Sequence, residues 1–241
     1  MSDNPYGNAY GGGQDLWVAE GSPTAQVDFI HKTYQHLALA IAAFVGLEAV
    51  LLNVPGIENV IRPVLGSRFG WLAVLGVFMF VSHVATKWAH EAVTPEKQYL
   101  GLGLYVVAEA LIFLPLLYVA AFFVGADVII KAAVVTGVVF GGLTAMVLIT
   151  KKDFGFLRGI LTVVGFGALG MIVVSILFGF SLGTWFSGAM VVFAAGAIVY
   201  QTSNVLHEYR PGQHVAAALG LFASVALLFW YVLQLFMSSR D

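Results

Sequence analysis

Seven apolar stretches separated by short polar loops fill the chain after residue 32, each long enough to cross a hydrocarbon core of roughly 30 Å as a helix. A bilayer interior offers no water to backbone N–H and C=O groups, so spanning segments must be helices or a closed barrel. The stretches lack the ten-residue apolar–polar alternation of barrel strands. The sequence therefore predicts an all-α integral membrane protein, in contact with the lipid bilayer along most of its length.

Composition closes the other routes. Of 241 residues, 60% are hydrophobic and only 10% charged, against the quarter charged of a typical soluble domain. At about thirty residues per span and loop, no second domain of useful size fits. The net charge of −2 offers no basic platform, so no nucleic-acid partner is expected. The six histidines are scattered rather than spaced as ligands, and neither a metal nor another cofactor is expected. With no cysteine, thiolate chemistry and disulfides are excluded.

Residues 1–30 are rich in Gly, Asn and small polar residues, with neither the basic start nor the apolar core of a cleavable signal. They are expected to be a flexible tail, leaving residues 31–241 as the transmembrane domain. The spans are placed at 34–54, 69–87, 99–123, 127–149, 156–179, 183–205 and 214–237. Pro55, Pro63, Pro95 and Pro211 fall in the loops between them, whereas Pro115 interrupts the third span and is expected to kink it. Gly137 with Gly141, and Gly167 with Gly170, are expected on packing faces inside the bundle.

Orientation follows from the basic residues. A cytoplasmic N-terminus puts seven of them inside (Lys32, Lys87, Lys97, Lys151, Lys152, Arg158 and Arg210) and four outside (Arg62, Arg68, Lys131 and Arg240). That excess predicts the N-terminus inside and, with seven spans, the C-terminus outside.

Ionisable residues at membrane depth are costly and mark function by default. Glu109 lies ten residues into the third span, about 15 Å along a helix at 1.5 Å per residue, near the midplane. It is the deepest carboxylate of the chain and a candidate proton acceptor or, when ionised, cation ligand. Glu48 falls near the outer end of the first span, where it either snorkels to the interface or sits at a pore mouth. His83 lies one turn before Lys87 near the inner end of the second span and is either a pH-responsive group or an interhelical hydrogen bonder. No Ser–His or Ser–Lys pair, paired aspartates, HExxH helix or phosphate loop is written at depth, so no enzyme is expected.

A family resemblance enters at the fifth span. The string LITKKDFGFLRGIL, residues 148–161, resembles the TTKKDFSFLGG signature of the bacterial, YccA-like branch of the Bax inhibitor family. KTYQHLALAIAAF resembles that family's first-span opening, and AEALIFLPLLYVA places Glu109 and Pro115 on its Glu and Pro positions. IVYQTSNVLH and ALGLFASVALLF resemble its sixth and seventh spans, so the likeness covers residues 31–236. The resemblance implies six helices around a central seventh, residence in a bacterial inner membrane, pH-dependent calcium leak, cell-stress protection and regulation of an FtsH-type membrane protease. It also implies a buried pair of gating aspartates in spans six and seven, but those positions here are Gln201 and Ser224. An amide and a hydroxyl do not titrate as two neighbouring carboxylates would.

Two functions are therefore expected from the sequence. One is a passive, pH-sensitive cation leak, calcium foremost, with Glu109, Glu48 and His83 along the ion path and Gln201 and Ser224 at the gate. The other is a non-conducting regulator that binds a membrane protease or another membrane partner.

Overall fold

The computed structural model describes residues 21–91 and 95–239. Among these described residues eight α-helices follow one another: α1 (Pro23–Leu52), α2 (Glu58–Leu65), α3 (Arg68–Glu91), α4 (Pro95–Val119), α5 (Asp127–Thr150), α6 (Leu157–Phe178), α7 (Gly183–His207) and α8 (His214–Ser238). A π-helical turn, Ala120–Gly125, extends α4. All but α2 are long and apolar enough to span a bilayer, at 22 to 31 residues with the π turn counted into α4. Successive spans alternate in direction. We call the end where α1, α4, α6 and α8 begin the proximal end, and the opposite one distal.

The central element is α8. Its buried residues, among them Val215, Ala217, Leu219, Leu221, Phe222, Leu228 and Leu233, surround the helix instead of forming a stripe. It packs on α7, α5, α1, α4 and α3, which makes it the axis of the bundle expected for the seventh span. On α1 a single line, Phe29, Thr33, Leu37, Ala40, Phe44 and Glu48, turns inward at the spacing of one helix face. Phe44 meets Phe113 of α4 and Phe222 of α8 edge-on, at 5.1 and 6.0 Å between ring centroids. By contrast α6 leans on α7 and α3, and Val163, Phe166 and Phe178 point outward, as lipid-facing residues do.

The structure corrects the sequence reading at several points. Helix α1 begins at Pro23, not at 34, because Ser22 caps it: the Ala25 N–H donates to Ser22 Oγ at 3.3 Å, and Pro23 occupies the first turn. The last eight residues of the expected tail are thus helix, while residues 1–20 lie outside the described residues. Pro63 is not in a loop but inside the short helix α2, and Pro95 opens α4. Helix α4 runs through Pro115 and changes to π geometry one turn beyond it.

The glycine pairs are also corrected. A Cβ on Gly137, Gly141, Gly167 or Gly170 would meet nothing within 4 Å, so these residues face outward. The close approach is at Gly101, where a Cβ would stand 2.6 Å from the Ala85 carbonyl oxygen and 2.9 Å from the Ala89 nitrogen. Both neighbours are backbone, so Gly101→Ala must push α3 and α4 apart. We expect a loss of about 1–3 kcal/mol, read as a lower midpoint of thermal unfolding in detergent.

Candidate functional site

Helices α3, α4, α6, α7 and α8 enclose a cavity of about 840 Å³. It reaches from the distal turn at Phe180–Gly183 and Ser238 down to Gln201 of α7 and Gly220 and Ser224 of α8. Ile112, Phe113 and Leu116 of α4 and Trp230 of α8 give it apolar walls. Trp230 is held there by edge-on contact with Phe113 at 4.9 Å and by stacking on Trp71 at 6.3 Å.

Glu109 is the one carboxylate on that wall among the described residues, and it is 6% exposed. Tyr105, one turn earlier on α4, faces it and also lines the cavity. At the distal mouth the Ser187 hydroxyl donates to Gln234 Oε1 at 3.0 Å, linking α7 to α8. A carboxylate facing a cavity of this size can exchange a proton with water or ligate a cation.

The floor is built on an absent side chain. A Cβ on Gly220 would lie 2.8 Å from Gln201 Oε1, so the Gln201 amide rests directly on the bare backbone of α8. That oxygen is buried and has no hydrogen-bond partner among the described residues. Ser224 does not reach it; its hydroxyl donates instead to the Gly220 carbonyl, one turn back, at 3.0 Å. Gln201 and Ser224 therefore meet at Gly220 without bonding each other.

A second cavity of about 410 Å³ lies on the proximal side, between His90, Arg158, Asn204 and the turn from Glu208 to Gln213. Gln201 lines this one too and is, among the described residues, the single one common to both. Its amide is a waist between a distal and a proximal chamber.

Gln201 opens a run of four polar residues, Gln201, Thr202, Ser203 and Asn204, which helix geometry turns about 100° apart. Thr202 is set toward Tyr34 of α1. Ser203 anchors the proximal loop: the Phe154 N–H donates to Ser203 Oγ at 2.8 Å, and that hydroxyl donates to Asp153 Oδ1 at 3.4 Å. Asp153 Oδ1 also accepts from the Gly155 N–H at 2.7 Å, and Lys151 enters the loop with a left-handed φ of 50°. Ser203→Ala leaves the Phe154 N–H without its acceptor, at a cost of about 1–3 kcal/mol. Faster limited proteolysis between residues 151 and 156 is the expected readout.

The structure thus brings Glu109, Gln201 and Ser224 to one cavity and leaves Glu48 and His83 off its wall. His83 is exposed on the outer face of α3. Glu48 does not snorkel; it is 4% exposed, one turn beyond Phe44, with both carboxylate oxygens unpartnered among the described residues. Sequence reasoning missed Gly220, Asn204 and the Ser187–Gln234 link. The polar run on α7 and the lone Gln of span seven were the available signals.

The family model described as "Inhibitor of apoptosis-promoting Bax1" matches residues 26–241. The chain belongs to the Bax inhibitor family. Protein PA2604 of Pseudomonas aeruginosa is 39% identical over 113 residues, 46% of this chain and 50% of that protein, so the chain matches half of this relative's length. The Golgi anti-apoptotic protein of Vaccinia virus (strain Lister) is 27% identical over 90% of this chain and 88% of its own. Bax inhibitor 1 of Schizosaccharomyces pombe is 31% identical over 58% of this chain and 52% of its own. The likeness to KKDF-bearing bacterial members accords with the Pseudomonas relative.

Proposed function

We propose that this Bax inhibitor family protein is a passive, gated cation pathway, with calcium the first ion to test and a role in resistance to cell stress. The observation that carries this reading is the pair of chambers, one holding Glu109, that approach from opposite ends of the bundle and, among the described residues, share Gln201 alone. Glu109 is the cation ligand, and Gln201 seated on Gly220 is the closed waist. Protonation removes the Glu109 charge, so flux falls as the medium is acidified.

The family's aspartate latch is not part of this mechanism, because neither Gln201 nor Ser224 titrates. The same substitution favours the second reading, a non-conducting regulator bound to an FtsH-type protease or another membrane partner. We place the chain in a bacterial inner membrane with the proximal end cytoplasmic, supported by the seven basic residues gathered on that side.

Calcium entry into proteoliposomes holding the full chain, at neutral and mildly acidic pH, tests the proposal. Entry above that of empty liposomes, larger at neutral pH, is expected. Liposomes that stay as tight as empty ones at both values would overturn conduction and leave the partner-binding role.

A further inference from the structure

The proximal cavity has a chemistry of its own. Asn204 lines it, is 7% exposed, and its Oδ1 is buried without a hydrogen-bond partner among the described residues. The Gln201 Oε1 is in the same condition. Both residues line the cavity, and each buried carbonyl oxygen is left with the desolvation penalty of an unmet acceptor, which a donor entering the cavity relieves. Glu208, exposed at the edge, adds an anionic acceptor.

The mouth has the opposite character. Arg158 at the start of α6 and Arg210 in the turn before α8 are both exposed on the lining, and two guanidinium groups match a phosphate by charge and by their fork of donors. Tyr209 closes the side wall, buried between Phe29 and His90 at 6.3 Å from each ring. Burial first, then the nearby Tyr200 and Glu208, pushes the Tyr209 phenol upward, so it remains a neutral hydroxyl at physiological pH.

The cavity is lined by the proximal ends of α3, α6 and α7 and by the turn before α8, and its mouth lies at the depth of the headgroup layer in a bilayer. We propose that it is a binding site for a phosphoethanolamine group, the headgroup of a phosphatidylethanolamine lipid, with the ammonium on Asn204 and Gln201 and the phosphate at Arg158 and Arg210. A primary ammonium supplies three N–H donors to the two amide oxygens and Glu208. A trimethylammonium supplies none, so phosphatidylcholine leaves those oxygens unmet and is the discriminating control. The site is a property of the proximal chamber and does not depend on conduction through the waist.

The test uses the full chain in nanodiscs of phosphatidylglycerol alone, titrated by calorimetry with dihexanoyl-phosphatidylethanolamine, dihexanoyl-phosphatidylcholine and O-phosphoethanolamine. We expect the ethanolamine lipid to bind at least tenfold more tightly than the choline lipid, and both Asn204→Ala and Arg158→Gln to weaken it by tenfold or more. Arg158 is exposed, so its variant folds even if the buried Asn204 variant does not. O-Phosphoethanolamine binding as tightly as the lipid would keep the recognised group and make its source a soluble metabolite. Equal affinity for the two lipids, or affinity unchanged in Arg158→Gln, would overturn the site.

Discussion

Glu109→Gln is expected to reduce calcium flux through the reconstituted protein by about ten- to a hundredfold at neutral pH. The substitution keeps the size and hydrogen-bonding reach of the side chain but removes the charge from a cavity wall that has no other carboxylate among the described residues. A contact between a charged ligand and its partner is worth about 1.5–3 kcal/mol, and each 1.4 kcal/mol is about tenfold. The pH response should vanish with the charge. Wild-type flux is expected to fall as Glu109 takes up its proton, whereas the Gln variant has nothing to protonate there and should run at one low rate across the range. An unchanged flux with an unchanged acid response would place both the ion and its titrating group elsewhere in the bundle.

Gln201→Ala should have the opposite sign. Among the described residues Gln201 alone lines both chambers, and its amide oxygen rests on Gly220 with no hydrogen-bond partner. Cutting it back to a methyl group joins about 840 Å³ of distal space to about 410 Å³ of proximal space. Flux is expected to rise about tenfold or more over wild type while still depending on Glu109, so the double variant with Glu109→Gln should return to the low rate. A rise that survives loss of Glu109 would mean that the opened path bypasses the distal chamber. A flux lower than wild type would make the amide a ligand instead of a barrier.

Much of this architecture is legible in the linear chain because the bilayer imposes it. Spans of twenty or more apolar residues have one structural outcome, and the seven expected spans coincide with the seven long helices, most ends agreeing within a few residues. The start of α1 does not, since Pro23–Ile30 is too polar to register as a span; Ser22 and Pro23 were the signal to weigh. The short α2 was hidden by Pro63, which eight residues of amphipathic helix accommodate near its C-terminal end.

Depth along a helix was readable for Glu109, but direction around the helix was not. Glu48 and His83 are therefore expected from sequence beside Glu109, whereas neither lines its cavity, one being turned onto the core line of α1 and the other toward the outside. Gln201 was found through the resemblance alone. What makes it a waist is Gly220, a residue whose importance lies in the side chain it lacks, and no one-dimensional pattern distinguishes it from the outward-facing Gly137 or Gly167.

The run Gln201–Asn204 also ties the bundle's middle to its proximal surface. Ser203 holds the Phe154 N–H and the Asp153 carboxylate from the same helical turn that sets Gln201 on α8. Rotation of α7 as a rigid body, lifting the Gln201 amide off Gly220, is therefore expected to draw Ser203 away from Phe154, as a key turns in a lock. A protein or antibody that clamps residues 151–156 would hold the waist shut from outside the membrane without touching the cavity.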